Sequence, residues 1–175
     1  VNPSGKLPFT FGRKLDDYMA HAEGAKFPNP DKVFYHDGIL VGYRGFDIRG
    51  IEPLFAFGHG LSYTSFEYSD LKLTANNITL DPSYNGDILE ATATITNTGT
   101  RLGKEVVQLY IADSEASIIR PVKELKGFKK IELKPGESTT VTFAISAEDL
   151  AFYDEITDGW RVEPGEFRIL VGSSS

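Results

Sequence analysis

Apolar and polar residues alternate regularly over the second half of the chain. Apolar side chains occupy every second position over residues 89–95, threonine or glutamate lies between them, and the run stops at the turn sequence NTG of residues 97–99. Alternation with a period of two predicts a strand that buries one face. Similar patterns predict strands at residues 71–74, 105–112, 125–133, 139–146 and 167–172, with turns at residues 135–136, 158–159 and 164–165. About seven short strands with frequent turns indicate an antiparallel β-sandwich.

The same alternation predicts which side chains form the core of the sandwich. Leu71 and Leu73 should share the buried face of the first strand, with Lys72 between them on the other face. In two later strands, the side chains expected to face one another across the core are Val107, Leu109, Ile111, Val141, Phe143 and Ile145. The side chains expected to face outward are Thr140, Thr142 and Ala144.

Residues 1–66 have a different texture, rich in glycine, proline and aromatic residues and with little periodicity. One short helix is predicted at residues 14–25, where Leu15, Tyr18, Met19 and Ala22 share a face and Gly24 ends the run. The remainder is expected to form extended pieces and turns that need another surface to pack on. The sequence therefore divides into an irregular extension with little helix (residues 1–66) and a sandwich (residues 67–175).

Charge and composition restrict the possible functions. The net charge of −7 arises within residues 67–175, and the basic cluster of residues 123–134 is interrupted by Glu124 and Glu132, which disfavours nucleic-acid binding. No apolar run is long enough for a membrane helix. The absence of cysteine excludes disulfides, thiolate metal sites and a cysteine nucleophile. Since the chain starts at Val1 without a signal-peptide pattern, we expect a fragment whose location is open, with an extracellular one slightly favoured.

Few residues are candidates for chemistry. Ser62 lies in GLSYT, one residue short of a G-x-S-x-G nucleophile elbow, but it lacks the strand before and the helix after that such an elbow needs. His21, His36 and His59 have no paired ligand spacing, so we expect no metal site and no cofactor. We expect His59 to fix a turn through a hydrogen bond.

Two further groups have a structural and a functional interpretation. An acidic group near the end of the chain lacks the order of a calcium loop and is expected to consist of solvated turn residues, namely Asp149, Asp154, Glu155 and Asp158. Trp160 follows an Asp-Gly turn, and an indole there either packs at a rim or interface or stacks on a sugar ring. We prefer the packing interpretation, because single aromatic residues usually pack.

Several segments resemble one enzyme family in the expected order. The segments are NPSGKLPFTFGRKL (2–15), GILVGYRGFD (38–47), IEPLFAFGHGLSYT (51–64), GKEVVQLYIAD (103–113), RPVKELKGFKKIELKPGES (120–138) and PGEFRILVGSSS (164–175). Together they resemble the C-terminal part of glycoside hydrolase family 3 β-glucosidases, from the end of the second catalytic domain through a linker to a fibronectin type III-like domain. The resemblance implies a fibronectin type III-like (immunoglobulin-like) sandwich.

The resemblance also implies where the chemistry lies. Family 3 enzymes hydrolyse terminal β-D-glucosyl residues with retention, using a carboxylate nucleophile in a Ser-Asp-Trp context and a glutamic acid/base. This chain has no Ser-Asp-Trp sequence, and the acid/base segment lies upstream of residue 1 in the family. We therefore expect no catalytic residue here and no activity of the isolated chain, which would reach a β-glucoside only through its parent.

In the family's arrangement, two groups of residues have expected roles. Tyr43, Arg44 and Asp47 either line the glucose pocket or form an interdomain network, and we prefer the second role. Residues 51–64, called the joint segment below, should form a structural joint whose main residues are Pro53, Phe55, Phe57, Gly58, His59 and Gly60. The expected partners are the parent's catalytic domains, with self-association of the fragment as a further possibility. The alternatives are an independent carbohydrate- or protein-binding module and the same region of a family 3 β-xylosidase.

Overall fold

The computed structural model describes residues 1–21, 35, 37–80 and 86–175. Within these residues the strands are β1 (Phe66–Leu73), β2 (Asp87–Asn97), β3 (Gly103–Asp113), β4 (Glu124–Leu133), β5 (Ser138–Ser146), β6 (Phe152–Asp154), β7 (Gly159–Arg161) and β8 (Phe167–Gly172). Two short α-helices, α1 (Tyr43–Ile48) and α2 (Ala147–Leu150), accompany 3-10 turns at Leu15–Asp17 and Met19–His21. None of the helices in this part of the chain is long and apolar enough to span a bilayer.

The strands form two antiparallel three-stranded sheets, ordered β1-β2-β5 and β4-β3-β8, and a small β6-β7 hairpin. This arrangement confirms the predicted antiparallel sandwich with little helix. β6, β7 and α2 were not predicted, because elements of three or four residues are too short to show a periodic pattern.

The predicted core is confirmed on both facing strands. All six predicted side chains of β3 and β5 are buried, and β2 adds Leu89, Ala91, Ala93 and Ile95 to the same cluster. Thr140 and Ala144 are exposed and Thr142 is half-buried on the opposite face of β5. The alternation therefore identified the core face of β2, β3 and β5 correctly.

The predicted burial of Leu71 is wrong. The pairing of β1 with β2 shifts between Ser69 and Lys72, and Asp70 takes a left-handed conformation with φ of 52°. Such a bulge changes which face the following side chains occupy. Leu71 is consequently 47% exposed, whereas Leu73 packs against the core.

The predicted helix at residues 14–25 does not form as one element. Its described part consists of the two 3-10 turns, separated by Tyr18 in an extended conformation. The Asp17 carboxylate accepts the amides of Arg13 (2.7 Å) and Lys14 (3.0 Å), which favours a local turn over helix continuation. Residues 22–25 lie outside the described residues. A helix forms instead at α1, where extended structure was expected and where Gly42 precedes the first turn with φ of 63°.

β3 is buried on both faces. Gln108 and Tyr110 lie on the face opposite to the core residues, yet they are only 3% and 2% exposed. Contacts with Tyr43, Phe57 and Gly58 cover this outer face. The extension thus packs on the β4-β3-β8 sheet, as the sequence required of a segment without its own core.

Candidate functional site

Tyr43 connects helix α1 to the sandwich. Its hydroxyl accepts a hydrogen bond from the backbone amide of Leu125 at 2.9 Å. Its ring stacks on Phe57 of the joint segment (centroids 5.1 Å apart, 29° between planes) and meets the edge of Tyr110 at 6.0 Å. Tyr43 therefore lies where α1, the joint segment and the outer face of β3 meet.

Arg44 and Asp47 face the residues just before Leu125. Arg44 Nη2 lies 3.4 Å from Glu124 Oε1, and Asp47 Oδ2 lies 2.9 Å from Lys123 Nζ, an ion pair without hydrogen-bond geometry. Arg44 Nη1 also donates to the carbonyl of Ile39 at 3.4 Å. The three residues predicted as a group are thus brought together against three consecutive residues around the start of β4.

A buried arginine extends this contact into the sandwich. The Arg120 guanidinium lies 2.8 Å from Asp113 Oδ2 and 3.0 Å from Glu124 Oε2, and it donates to the carbonyl of Leu150 at 2.9 Å. It also lies over the Phe152 ring at 5.7 Å. Glu124 is therefore shared between Arg120 and the arginine of α1. Sequence reasoning missed Arg120, because no motif marks its carboxylate partners and the carbonyls that it contacts lie about thirty residues later in the chain.

The joint segment pairs with the start of the chain. Gly58 N donates to the Leu7 carbonyl and Leu7 N donates to the His59 carbonyl, both at 2.8 Å. The Phe11 amide donates to the Phe55 carbonyl at 2.9 Å, and an isolated bridge joins these two residues. His59 donates from its backbone to Ala56 within the turn, while its imidazole packs on the Phe55 ring at 5.1 Å. Half-buried Pro53 precedes this pairing.

Two glycines of the joint segment permit close approach. Gly58 has φ of +82°, and a Cβ placed on it would lie 2.5 Å from Gln108 Nε2. A Cβ on Gly60 would lie 2.5 Å from the carbonyl oxygen of Gly5. The Phe57 carbonyl accepts a hydrogen bond from the amide of Ser175 at 2.9 Å, so the joint segment also contacts the residues that follow β8.

One side of the extension leaves aromatic rings uncovered. The Phe9 and Phe11 rings are 4.4 Å apart, and the Phe11 and Phe55 rings are 6.1 Å apart in an edge contact. All three side chains are exposed. Leu15 and Leu54, which lie near them in the sequence, are also exposed. We call Phe9, Phe11 and Phe55 the aromatic cluster. Contiguous exposed apolar groups of this kind mark interaction surfaces.

The other candidates already have structural partners. Ser62 donates its hydroxyl to Asn2 Oδ1 at 3.0 Å. Asp149 accepts the amide and hydroxyl of Ser146 at the start of α2 (2.9 and 3.0 Å). The Ile156 amide donates a hydrogen bond to Asp154, and this bond is the main reason why the pKa of the Asp154 carboxyl is lowered. Within the described ranges, no group of three or more histidine, cysteine or acidic residues has an arrangement that could hold a metal ion.

Comparisons with known proteins agree with this architecture. A model of the fibronectin type III-like domain matches residues 105–175. Over its whole length the chain is 47% identical to thermostable beta-glucosidase B of Acetivibrio thermocellus and 44% identical to beta-glucosidase BoGH3A of Bacteroides ovatus. It covers 22% and 23% of those proteins.

Solved structures give the same result. The whole chain superposes on beta-glucosidase D2-BGL of Chaetomella raphigera with a TM-score of 0.87 at 38% identity, covering 25% of that chain. It superposes on beta-glucosidase 3B of Thermotoga neapolitana, solved with α-D-glucose, with a TM-score of 0.83 at 45% identity, covering 23% of that chain. The chain thus spans between a fifth and a quarter of the length of these relatives.

Proposed function

Because the chain belongs to the glycoside hydrolase family 3 β-glucosidases, as their C-terminal part with a fibronectin type III-like domain, we propose that it is the accessory region of such an enzyme. The enzyme would hydrolyse terminal β-D-glucosyl residues with retention, and its nucleophile and acid/base would lie in other parts of the polypeptide. Residues 1–66 would be the tail of a catalytic domain and a linker, and residues 67–175 the fibronectin type III-like domain.

The aromatic cluster carries the proposal. The extension has two sides with different environments: one packs on β3 through Tyr43 and Gly58, and the other exposes Phe11 and Phe55. A segment held against the sandwich while exposing aromatic rings is suited to join two bodies. We therefore propose the parent's catalytic domains as the partner of the aromatic cluster, with self-association as the competing outcome in isolation.

Tyr43, Arg44 and Asp47 support a docking role for α1. All three have partners in the sandwich, and the contacts use the Leu125 amide and the side chains of Glu124 and Lys123. We propose that these residues set the position of α1 relative to the sandwich. Any approach of the three side chains to a glucose pocket would then depend on how the catalytic domains complete this site.

A two-part reconstitution tests the proposal. The preceding part of the parent polypeptide is produced separately and mixed with this chain, and both association and hydrolysis of an aryl β-glucoside are measured. The chain alone should hydrolyse nothing, and adding it should raise the unfolding temperature of the catalytic part. Phe11→Ala and Phe55→Ala should each weaken association by about tenfold or more, as expected for buried aromatic anchors.

Ile156→Ala is the matched control, because Ile156 is also exposed but lies in the distant β6-β7 turn. Circular dichroism should show the same fold for all variants. Hydrolysis by the pure chain would refute the accessory role. Association that tolerates both phenylalanine variants would refute the assignment of the aromatic cluster as the docking surface.

A further inference from the structure

The β6-β7 hairpin presents an aromatic surface outside the sandwich core. Tyr153 and Trp160 are directly paired across the hairpin, and their rings meet edge to face with centroids 5.7 Å apart. The Trp160 side chain remains 74% exposed. Trp160 therefore contributes little to packing in the described part of the chain, although a tryptophan is usually retained for the large area that it buries.

The hairpin holds this surface in a defined geometry. Asp154 Oδ1 accepts the amide of Ile156 at 2.9 Å, and the Tyr153 hydroxyl donates to Asp158 across the turn. Asp158 has φ of 53°, which closes the turn in the left-handed region. Because these bonds order the hairpin before any ligand arrives, little conformational entropy is lost on binding.

A second set of contacts fixes the strand that carries Trp160. Arg161 Nη1 lies 3.2 Å from Asp154 Oδ2, and Arg161 Nη2 lies 3.1 Å from Glu163 Oε1. Glu163 in turn accepts the amide and hydroxyl of Ser117 at 2.8 and 2.7 Å. These bonds satisfy the charged groups at the base of the hairpin. Among the residues that the structure describes, the exposed indole has the edge contact with Tyr153 and no comparable set of bonds.

The charge around the indole restricts what it can bind. Residues 153–163 contain four acidic residues and one basic residue, a balance that repels polyanions such as nucleic acids and acidic polysaccharides. A neutral ligand that combines an apolar face with hydroxyl donors suits this surface. The apolar face would stack on the indole, and the carboxylates of Glu155 and Asp158, both exposed, would accept hydrogen bonds from the hydroxyls.

We propose that Trp160 and Tyr153, with the carboxylates of the hairpin turn, form a binding platform for neutral β-linked glucose oligosaccharides. A β-linked glucopyranose has equatorial hydroxyls and an apolar ring face, which is the combination described above. The choice of glucose as the sugar rests on the proposed function. The platform would hold an oligosaccharide on the accessory region and perform no chemistry.

The composition of the chain provides a direct readout. Trp160 is the single tryptophan of the chain, so intrinsic tryptophan fluorescence reports on this position alone. Titrating the chain with cellohexaose through the millimolar range should give a saturable change in its fluorescence. Free tryptophan amide titrated in parallel corrects for effects of the sugar on indole itself. Carboxymethyl-cellulose oligomers, which are anionic, should bind more weakly.

Calorimetry extends the test to variants without the fluorophore. Trp160→Ala should weaken cellohexaose binding at least about tenfold, and Trp160→Phe, which keeps a stacking ring, should weaken it less. Tyr63→Ala is the matched control, because Tyr63 is an exposed aromatic residue next to Arg101 and away from the hairpin. The control should bind like the unsubstituted chain.

Two results would overturn the proposal: a flat titration, or binding that is unchanged in Trp160→Ala. The reconstitution experiment separates the two proposals. A flat titration together with successful reconstitution overturns the platform alone, whereas failed reconstitution refutes the accessory role whatever the sugar titration shows.

Discussion

Gly58→Ala tests the close approach of the joint segment to β3. The new Cβ would lie 2.5 Å from Gln108 Nε2 and 2.6 Å from Gln108 Oε1. The end of a glutamine can usually move aside. Gln108 is buried, however, and its amide is held at both ends, because Nε2 donates to the Ser173 carbonyl at 2.7 Å and Oε1 accepts the Tyr110 hydroxyl at 2.6 Å.

The expected magnitude has two parts. Placing alanine in the left-handed region costs about 1 kcal/mol. Displacing the Gln108 amide breaks buried hydrogen bonds, and a buried polar group left unpaired costs about 1–3 kcal/mol. We therefore expect the free energy of unfolding to fall by about 3 kcal/mol, which lowers the unfolding temperature by about 6–12 °C for a domain of this size.

Gly136→Ala is the matched control. Gly136 also has positive φ (74°), but a Cβ placed on it meets no heavy atom within 4 Å. Its free energy of unfolding should fall by about 1 kcal/mol only, and the loss of unfolded-state entropy is the same for both alanine variants. Urea unfolding with unchanged m-values measures both.

Equal losses of stability in Gly58→Ala and Gly136→Ala would mean that the Gln108 amide yields freely. The double variant Gly58→Ala, Gln108→Ala provides a second check, since removing the amide should make the two effects less than additive. Full additivity would show that the Cβ and the amide do not interact.

Three further predictions concern groups that hold the sandwich together. Arg120→Ala should lower the free energy of unfolding by about 3–5 kcal/mol in a urea titration, because it removes the cation that pairs with the buried carboxylate of Asp113. Tyr43→Phe keeps the stacked ring but loses one hydrogen-bond acceptor, so the same titration should show a loss of about 1 kcal/mol. Hydrogen bonds lower the pKa of Asp154 and Glu163 in the folded state. Their contribution is therefore present above the ordinary carboxyl pKa of about 4 and is lost as the pH falls below it. Tryptophan fluorescence should consequently show the hairpin loosening under acid at a pH where far-UV circular dichroism still reports a folded sandwich.

The sequence predicted the long strands well, because burial of one face imposes a pattern that continues over many residues. β2 and β5 each run for nine residues or more, and their apolar positions specify the core. The bulge at Asp70 was not predictable in this way, since one residue in a left-handed conformation changes the burial of Leu71 without changing the sequence pattern. Short elements such as α1 and β6 contain too few residues for a period to appear.

The sequence grouped Tyr43, Arg44 and Asp47 as one candidate site, and the structure places all three against residues 123–125 at the start of β4. Their individual partners were not foreseeable, because Leu125 and Glu124 lie about eighty residues later in the chain. Arg120 was missed because no motif marks the carboxylates near it in the sequence. Its role depends on carboxylates and carbonyls that only the folded chain brings together.

The outer face of β3 explains the glycine at position 58 of the joint segment. The strand sequence EVVQLYIA (residues 105–112) is nearly continuous in apolar residues, which is typical of a strand covered on both faces. The cover therefore approaches the side chains of this face closely, and the absence of a Cβ atom at Gly58 leaves room for the side-chain amide of Gln108. Residues 51–64 form turns and one isolated bridge, so they have no period from which secondary structure is predicted. The segment that attaches the extension to the sandwich is thus also the one whose structure the sequence pattern conveys least.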